Sequence, residues 1–410
     1  MRMNAIVAGV GMTRFGKHME TGLKALGGEA VAAALEDSGV EAADLEAAYV
    51  SNAMAGIITG QECIRGQVIL RPMGIGKIPV INIDNACGSA STAFNQACAM
   101  VSNGCYDVVL ALGVEKLYHP DKQRTFLALR GGMDVEEMEA ELARFAADQS
   151  GDSEAPKGTG GGDKRSVAMD FYANVARAHM RQYGTTVEQL AGVSAKNSLH
   201  GSLNPRAQCR EALSVDDVLG APLIVEPLTR PMCSPIGDGA AAAVLVSERK
   251  ARQLALERPV RVASSALHSG WDHGPEEVGS ATLCAREAYE EAGVGPEDLG
   301  VIELHDASAI GELLGYESLA LCEDGESGRL IDEGATKLGG RVPVNTSGGL
   351  LRKGHPVGAT GIAQVVELTE QLQGRCGKRQ VEAATAALAH NGGGVVGNEA
   401  ASMCVTILTR

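Results

Sequence analysis

Residues Ala33–Asn52, AALEDSGVEAADLEAAYVSN, and residues Glu287–Asp306, EAYEEAGVGPEDLGVIELHD, are two copies of one pattern. Aligned without gaps, Ala34, Glu36, Gly39, Val40, Asp44 and Leu45 fall on Ala288, Glu290, Gly293, Val294, Asp298 and Leu299. Each copy reads as a helix ended at glycine, a short turn carrying Asp-Leu, and an apolar strand. A second echo follows each copy in the same order. Pro79-Val80 opens a strand and Ala86–Ala93 (ACGSASTA) opens a helix; Pro343-Val344 opens a strand and Gly358–Ala363 (GATGIA) opens a helix. The buried strands Val108–Leu112 and Thr385–Ala389 close the two series. The expectation is a layered α/β fold built from two duplicated halves.

Material between the halves belongs to neither. An acidic amphipathic helix spans Val135–Gln149, a polar Gly-rich tract Ser150–Asp163 follows, and a longer helix begins near Ser166. Asp238–Val246 then returns to buried-strand character and completes the first half. The domain expectation is a first half of residues 1–118 and 223–256 carrying Cys87, an inserted loop domain of residues 119–222, and a second half of residues 257–410 carrying His305, His355 and His390.

Composition narrows the function class. The chain has 410 residues, 45% hydrophobic and 21% charged, enough to bury a large core. It has only 5 Phe, 7 Tyr and 1 Trp but 52 Gly, so that core must be aliphatic and tightly packed. The formal net charge of −15, with so few stacking rings, argues against a nucleic-acid binder. It does not forbid an anionic small ligand, because a local basic patch can coexist with an acidic whole. The first apolar stretch is too short and interrupted for a signal peptide, and no run approaches a membrane span. Ten cysteines without a secretory segment read as reduced thiols in a cytoplasmic enzyme. Neither Cys98/Cys105 nor Cys376/Cys404 has paired histidines nearby, so no metal site is expected.

Cys87 lies in Asn85-Ala86-Cys87-Gly88-Ser89-Ala90, between a strand and an Ala-rich helix. A thiol at a helix N-terminus meets unpaired N–H groups and the positive end of the dipole, which favour thiolate. Burial as an inert thiol is the common alternative, and it suits Cys98, Cys284 and Cys322. The stretch Asn345–Gly349 (NTSGG) followed by Lys353–Gly361 (KGHPVGATG) puts His355 just before a helix, where the duplicate places Cys87. Two pseudo-symmetric halves would bring the pair together at a shared face, with an exposed His355 as the base for Cys87. His305, which heads His305-Asp306-Ala307-Ser308 after the repeat strand, can donate to a carbonyl oxygen. His390-Asn391-Gly392-Gly393-Gly394 reads as a buried strand leaving in a glycine turn whose amides face an oxyanion.

These four loops together resemble the thiolase superfamily, most closely its sterol-carrier-protein-like members. The resemblance covers almost the whole chain. It implies a five-layered αβαβα fold, a homodimer or tetramer, and coenzyme A as a co-substrate with no permanently bound cofactor. By this likeness Cys87 carries the acyl group, and His355 activates Cys87 and helps hold the thioester oxygen. His305 serves one oxyanion. The amides of Cys87 and Gly393 or Gly394, with Asn391 and His390 supporting the loop, serve the other. Thiolases also use a second cysteine on the substrate α-carbon; in sterol-carrier-like members it follows His-Asp, and here that position is Ala307. Ser308, Asp306 and His390 are candidate replacements.

The implied activity is thiolytic cleavage of a β-keto acyl-CoA, with a bulky or aromatic acyl group of the benzoylsuccinyl-CoA kind suited to the missing cysteine. A thiolase-like aldolase or C-acyltransferase working with a small zinc-containing OB-fold (DUF35-type) partner is the alternative. A non-catalytic acyl-CoA or lipid carrier is the third reading. Lys196, Arg206, Arg210, Arg230, Arg352 and Lys353 are candidate phosphate contacts for coenzyme A.

Overall fold

The computed structural model describes residues 3–137, 167–274, 277–397 and 399–410. Both copies of the repeated pattern fold alike. In the first, the helix Leu23–Ser38 ends on Gly39 at φ +66°, the turn Ala42–Asp44 follows, and then comes a strand, Ala47–Ser51. In the second, the helix Ser280–Ala292 ends on Gly293 at φ +69°, followed by the turn Pro296–Asp298 and a strand, Val301–Glu303. A left-handed C-cap is inexpensive only for glycine, which is why the aligned glycines mark both helix ends.

In chain order the strands are β1 Ile6–Met12, β2 Ala47–Ser51, β3 Val80–Ile83, β4 Val108–Glu115, β5 Leu223–Val225, β6 Leu228–Thr229, β7 Gly239–Val246, β8 Val260–His268, β9 Val301–Glu303, β10 Ala386–Val396 and β11 Glu399–Thr409. Nine form one continuous ladder, β3-β2-β4-β7-β1-β8-β11-β10-β9. The halves share a pairing plan. β2 runs parallel to β4, and β7 lies antiparallel to β4 and β1; likewise β9 runs parallel to β10, and β11 lies antiparallel to β10 and β8. The halves join where β1 meets β8, at Ile6–Arg261 and Val7–Val260.

The layers follow from strands buried on both faces. Along β4, Val109 and Ala111 face one apolar cluster, while Val108, Leu110, Leu112 and Val114 face another. The inner cluster also holds Ala90, Ala93, Phe94 and Ala97 of the helix Ser89–Ser102 and Ile362, Ala363 and Val366 of the helix Thr360–Gln373. These two central helices sit between the halves of the ladder. Leu26, Ala30 and Ala34 of the first repeat helix cover one outer face, and Cys284, Ala285 and Ala288 of the second cover the other. The result is the expected five-layered αβαβα arrangement.

Two sequence expectations need correction, and a third falls largely outside the described residues. The counterpart of β3 shrinks to one residue, Val344, bridged to Ile302, because Asn345 turns to φ +55° and leaves the strand. The His390–Gly394 stretch is no turn: it lies within β10, and His390, Asn391, Gly392 and Gly393 pair with Val405, Cys404, Met403 and Ser402 of β11. Of the acidic stretch Val135–Gln149, residues Val135–Glu137 form a turn; its remainder and Ser150–Asp163 lie outside the described residues. The longer helix begins at Val167, as the helix Val167–Tyr183.

Candidate active site

Both central helices begin at one cavity of about 960 Å³, lined by Cys87, His305, His355, His390, Ala307 and Gly392–Gly394 among others. A tight turn before the helix Ser89–Ser102 delivers Cys87. Asp84 Oδ1 accepts from the Ala86 amide, Ser89 Oγ accepts from the Asn85 amide, and Ala86 is held at φ +47°. Glycine at 393 follows from contact with this turn. A methyl group there would lie 2.2 Å from both Asn85 O and Gly88 N.

His355 is buried, not exposed as expected, and its Nε2 is 3.3 Å from Cys87 Sγ. Its Nδ1 is 2.7 Å from Thr360 Oγ1, and that hydroxyl donates to Pro356 O. Nδ1 therefore carries the hydrogen, leaving Nε2 bare to accept the Cys87 proton. Burial, then Lys353, holds His355 down to about 4, so it rests neutral. Burial also pushes the Cys87 thiol up to about 12, although the Gly394 amide counters it. The helix terminus thus does not yield a resting thiolate, against the sequence expectation, because desolvation outweighs the amides.

His305 and His390 present the opposite polarity. Ser91 Oγ donates to Asn391 Oδ1, and Asn391 Nδ2 donates to His305 Nδ1 at 2.9 Å. Nε2 of His305 then carries its hydrogen. The His305 amide donates to His390 Nδ1 at 3.5 Å, and His390 Nε2 has no partner among the described residues. Burial holds both imidazoles below their ordinary range, His390 to about 4. The site thus holds one bare imidazole nitrogen and two N–H donors, the His390 one enclosed. The His305 and His355 rings meet edge to face, 5.3 Å apart.

Buried carboxylates that sequence reading passed over hold these loops. Glu115 accepts from Asn52 Nδ2 and from the amides of Ala53, Met54 and Gly358, tying the His355 loop to the first half. Glu303 pairs with Lys353 at 3.1 Å and accepts from the Ser347 amide. Glu312 pairs with Lys196 and accepts from Asn197 and Asn345. Their signal in the sequence was weak: single acids at strand ends or inside apolar runs.

Several candidate residues move. Asp306 accepts from the Leu350 and Leu351 amides and from Asn197, and Ser308 caps the helix Ala309–Ser318; neither is among the cavity-lining residues. Of the candidate replacements only His390 faces the cavity. Lys196 and Lys353 are buried in pairs with Glu312 and Glu303, away from any phosphate at the surface, while Arg206, partly exposed, pairs with Glu370. Arg210 and Arg230 are exposed, and Arg230 and the largely buried Arg352 line the cavity. Ligand atoms of Cys87, His305 and His355 lie within 4.8 Å of one another, close enough for a soft metal ion. A second such group, Glu367, Glu370 and Cys376, already has Arg379 on both carboxylates.

An activatable thiol and a base at the start of paired central helices, facing fixed N–H donors, define an acyl-transferring enzyme of layered α/β fold. Residues 5–211 match the family described as thiolase, N-terminal domain, and residues 235–410 match the thiolase C-terminal domain-like family. The chain belongs to the thiolase family and is an acyltransferase. It is 39% identical to an acetyl-CoA acetyltransferase of Methanothermobacter thermautotrophicus, over 96% of this chain and 97% of that one. It is 35% identical to the benzoylsuccinyl-CoA thiolase subunit BbsB of Thauera aromatica, over 92% of this chain and 91% of that one. The solved Ltp2-ChsH2(DUF35) aldolase superposes with TM-score 0.78 at 26% identity, covering 98% of this chain and 97% of that one. No described helix is long and apolar enough to cross a membrane.

Proposed function

We propose that this enzyme cleaves a β-keto acyl-CoA with coenzyme A through an acyl-Cys87 intermediate. The observation that carries the reading is the 3.3 Å contact from Cys87 Sγ to a bare His355 Nε2 beside two imidazole N–H donors. His355 takes the Cys87 proton as sulfur attacks the ketone carbon. The oxygen gains charge facing the His305 and His390 N–H groups and the amides of Cys87, Gly393 and Gly394. Collapse breaks the bond between the ketone and α-carbons, leaving acyl-Cys87 and the enolate of the shorter thioester. Coenzyme A, a co-substrate, then takes the acyl group.

The acyl group is bulky. Tyr118, Phe126, Phe171 and Tyr172 line the cavity in a chain with 5 Phe and 7 Tyr, so scarce rings gather where an acyl chain would lie. The similarity to the benzoylsuccinyl-CoA thiolase subunit favours an aryl β-keto substrate. We place the enzyme in the cytoplasm, on its ten free cysteines, as a homodimer or tetramer. Residues 1–118 with 223–256, 119–222 and 257–410 serve as its working domains, the middle one forming a wall of the cavity.

The test is mass spectrometry of the Cys87 peptide after incubation with acetoacetyl-CoA and with an aryl β-keto acyl-CoA. An acyl mass on Cys87, discharged by coenzyme A, is expected; a clean thiol with every substrate sinks covalent catalysis. Ala307 and the aldolase neighbour favour a second reading, retro-aldol cleavage alongside a small zinc-containing OB-fold partner. Retro-aldol turnover that survives Cys87→Ala, with such a partner copurifying, would select it.

A further inference from the structure

Among the described residues five lysines and arginines are buried: Lys116, Lys196, Arg352, Lys353 and Arg379. Lys116 sits against Asp238, Lys196 against Glu312, Lys353 against Glu303 and Arg379 against Glu367. Arg352, 7% exposed, has no carboxylate among the described residues. Its Nη2 donates to a backbone carbonyl, Glu211 O, at 2.8 Å, and its Nε is buried without a hydrogen-bond partner. A guanidinium keeps its charge throughout the working pH range. Out of water, with one neutral acceptor, it burdens the folded chain until an anion completes it.

That anion has access, because Arg352 lines the cavity that holds Cys87 and His355. It lies on the helix Gly349–Lys353, three residues before His355, so the two Cα atoms are no more than about 11 Å apart. Its backbone and stem are fixed. The Cys209 amide donates to Arg352 O at 3.0 Å, and a methyl group at Gly201 would lie 2.9 Å from Arg352 Cβ.

The charges around the cavity favour an anion as well. Lys17, Lys122, Arg230 and Arg352 line it against one acid, Glu399, in a chain of net charge −15. Glu399 is already engaged, 2.8 Å from His273 Nε2 and accepting from the Ser280 amide. Lys17, Lys122 and Arg230 are exposed and suit phosphates that stay in water. Arg352 is enclosed, so its anion must enter with the group being cleaved. A carboxylate matches the planar fork of a guanidinium.

Resting on the thiolase reading above, we propose that Arg352 is a specificity residue: the acyl-CoA cleaved at Cys87 carries a carboxylate on its acyl part, and Arg352 binds it. The substrate is then held at both ends, its ketone beside Cys87 and its acid at Arg352. A neutral acyl group of the same length leaves the guanidinium unpaired and is rejected.

The experiment titrates the whole chain as Cys87→Ala, which cannot be acylated, with three pairs of thioesters in a calorimeter. The pairs are succinyl-CoA and butyryl-CoA, glutaryl-CoA and pentanoyl-CoA, and adipyl-CoA and hexanoyl-CoA; within each, a terminal carboxylate replaces a methyl group. At one length or more the acid is expected to bind about 30-fold tighter than its neutral partner, and adding Arg352→Gln should bring that ratio below about threefold. A ratio taken within one protein cancels any general loss of affinity in the variant. Equal affinities within all three pairs for Cys87→Ala overturn the proposal before any Arg352 variant is made. A ratio that survives Arg352→Gln overturns it too. So does an equal loss for acid, neutral partner and free coenzyme A, which makes Arg352 a phosphate contact. The thiolase reading is checked apart from this, by the acyl mass on wild-type Cys87: a clean thiol removes the cleavage reading, while the affinity ratio still decides whether Arg352 holds a carboxylate.

Discussion

The two loops that start the central helices are duplicates in origin and opposites in construction. The Cys87 turn goes from β3 to its helix in a few residues, fixed by its own Asp84 and Ser89. The His355 loop leaves a strand reduced to Val344 and runs to Thr360, tied by Glu303, Asp306 and Glu115, all fully buried. Both carry one strained non-glycine residue, Ala86 at φ +47° and Asn345 at φ +55°. The nucleophile needs only a small, tight turn. The base must be aimed across the interface of the halves, and a long loop stays in place only if its buried amides find acceptors.

The comparison can be broken at its ends first. Cys87→Ala should lower thiolytic kcat/KM by about 10⁴-fold while leaving the melting temperature nearly unchanged; turnover within tenfold of wild type would put the nucleophile elsewhere. His355→Asn comes next, with about 10³-fold loss and slower acyl-Cys87 formation in rapid-quench experiments.

Stability separates the loops more sharply. Glu303→Gln leaves Lys353 as an uncompensated buried charge and should cost about 3–5 kcal/mol in urea unfolding. Ser89→Ala, in the self-held turn, should cost only about 1 kcal/mol. Equal costs would mean that the two loops are held alike. The smallest effect is a pH profile. Because burial holds His355 down to about 4, its base form persists as acid is added. The acid limb of kcat/KM attributable to it should therefore lie near pH 4; a limb centred near 6.5 would show a solvated imidazole.

The repeated unit was legible because its signals are local. Glycine at 39 and 293 ends a helix whatever surrounds it, and strands buried on both faces need no register to be recognised. Cys87, His305 and His355 were legible because each stands among small residues at an element's end, His390 because a run of glycines follows it, and all four do line one cavity. The glycines after His390 misled, since a glycine run suggests a turn, yet β11 pairs with Gly392 and Gly393 and only Gly394 steps out of register. The basic residues misled too: Lys196 and Lys353 look like surface charge until their buried acids are seen.

The sequence by itself determined the duplicated α/β plan and the residues that bear the chemistry, because capping, periodicity and glycine placement act within a few neighbours. The tertiary structure alone decided their protonation and company. Which imidazole nitrogen is bare depends on Thr360 and on Asn391, and whether Cys87 rests as a thiol depends on burial. Desolvation and hydrogen-bond partners across hundreds of residues exist only once the halves close on each other. Tyr172, silent in the chain, reaches the cavity for the same reason.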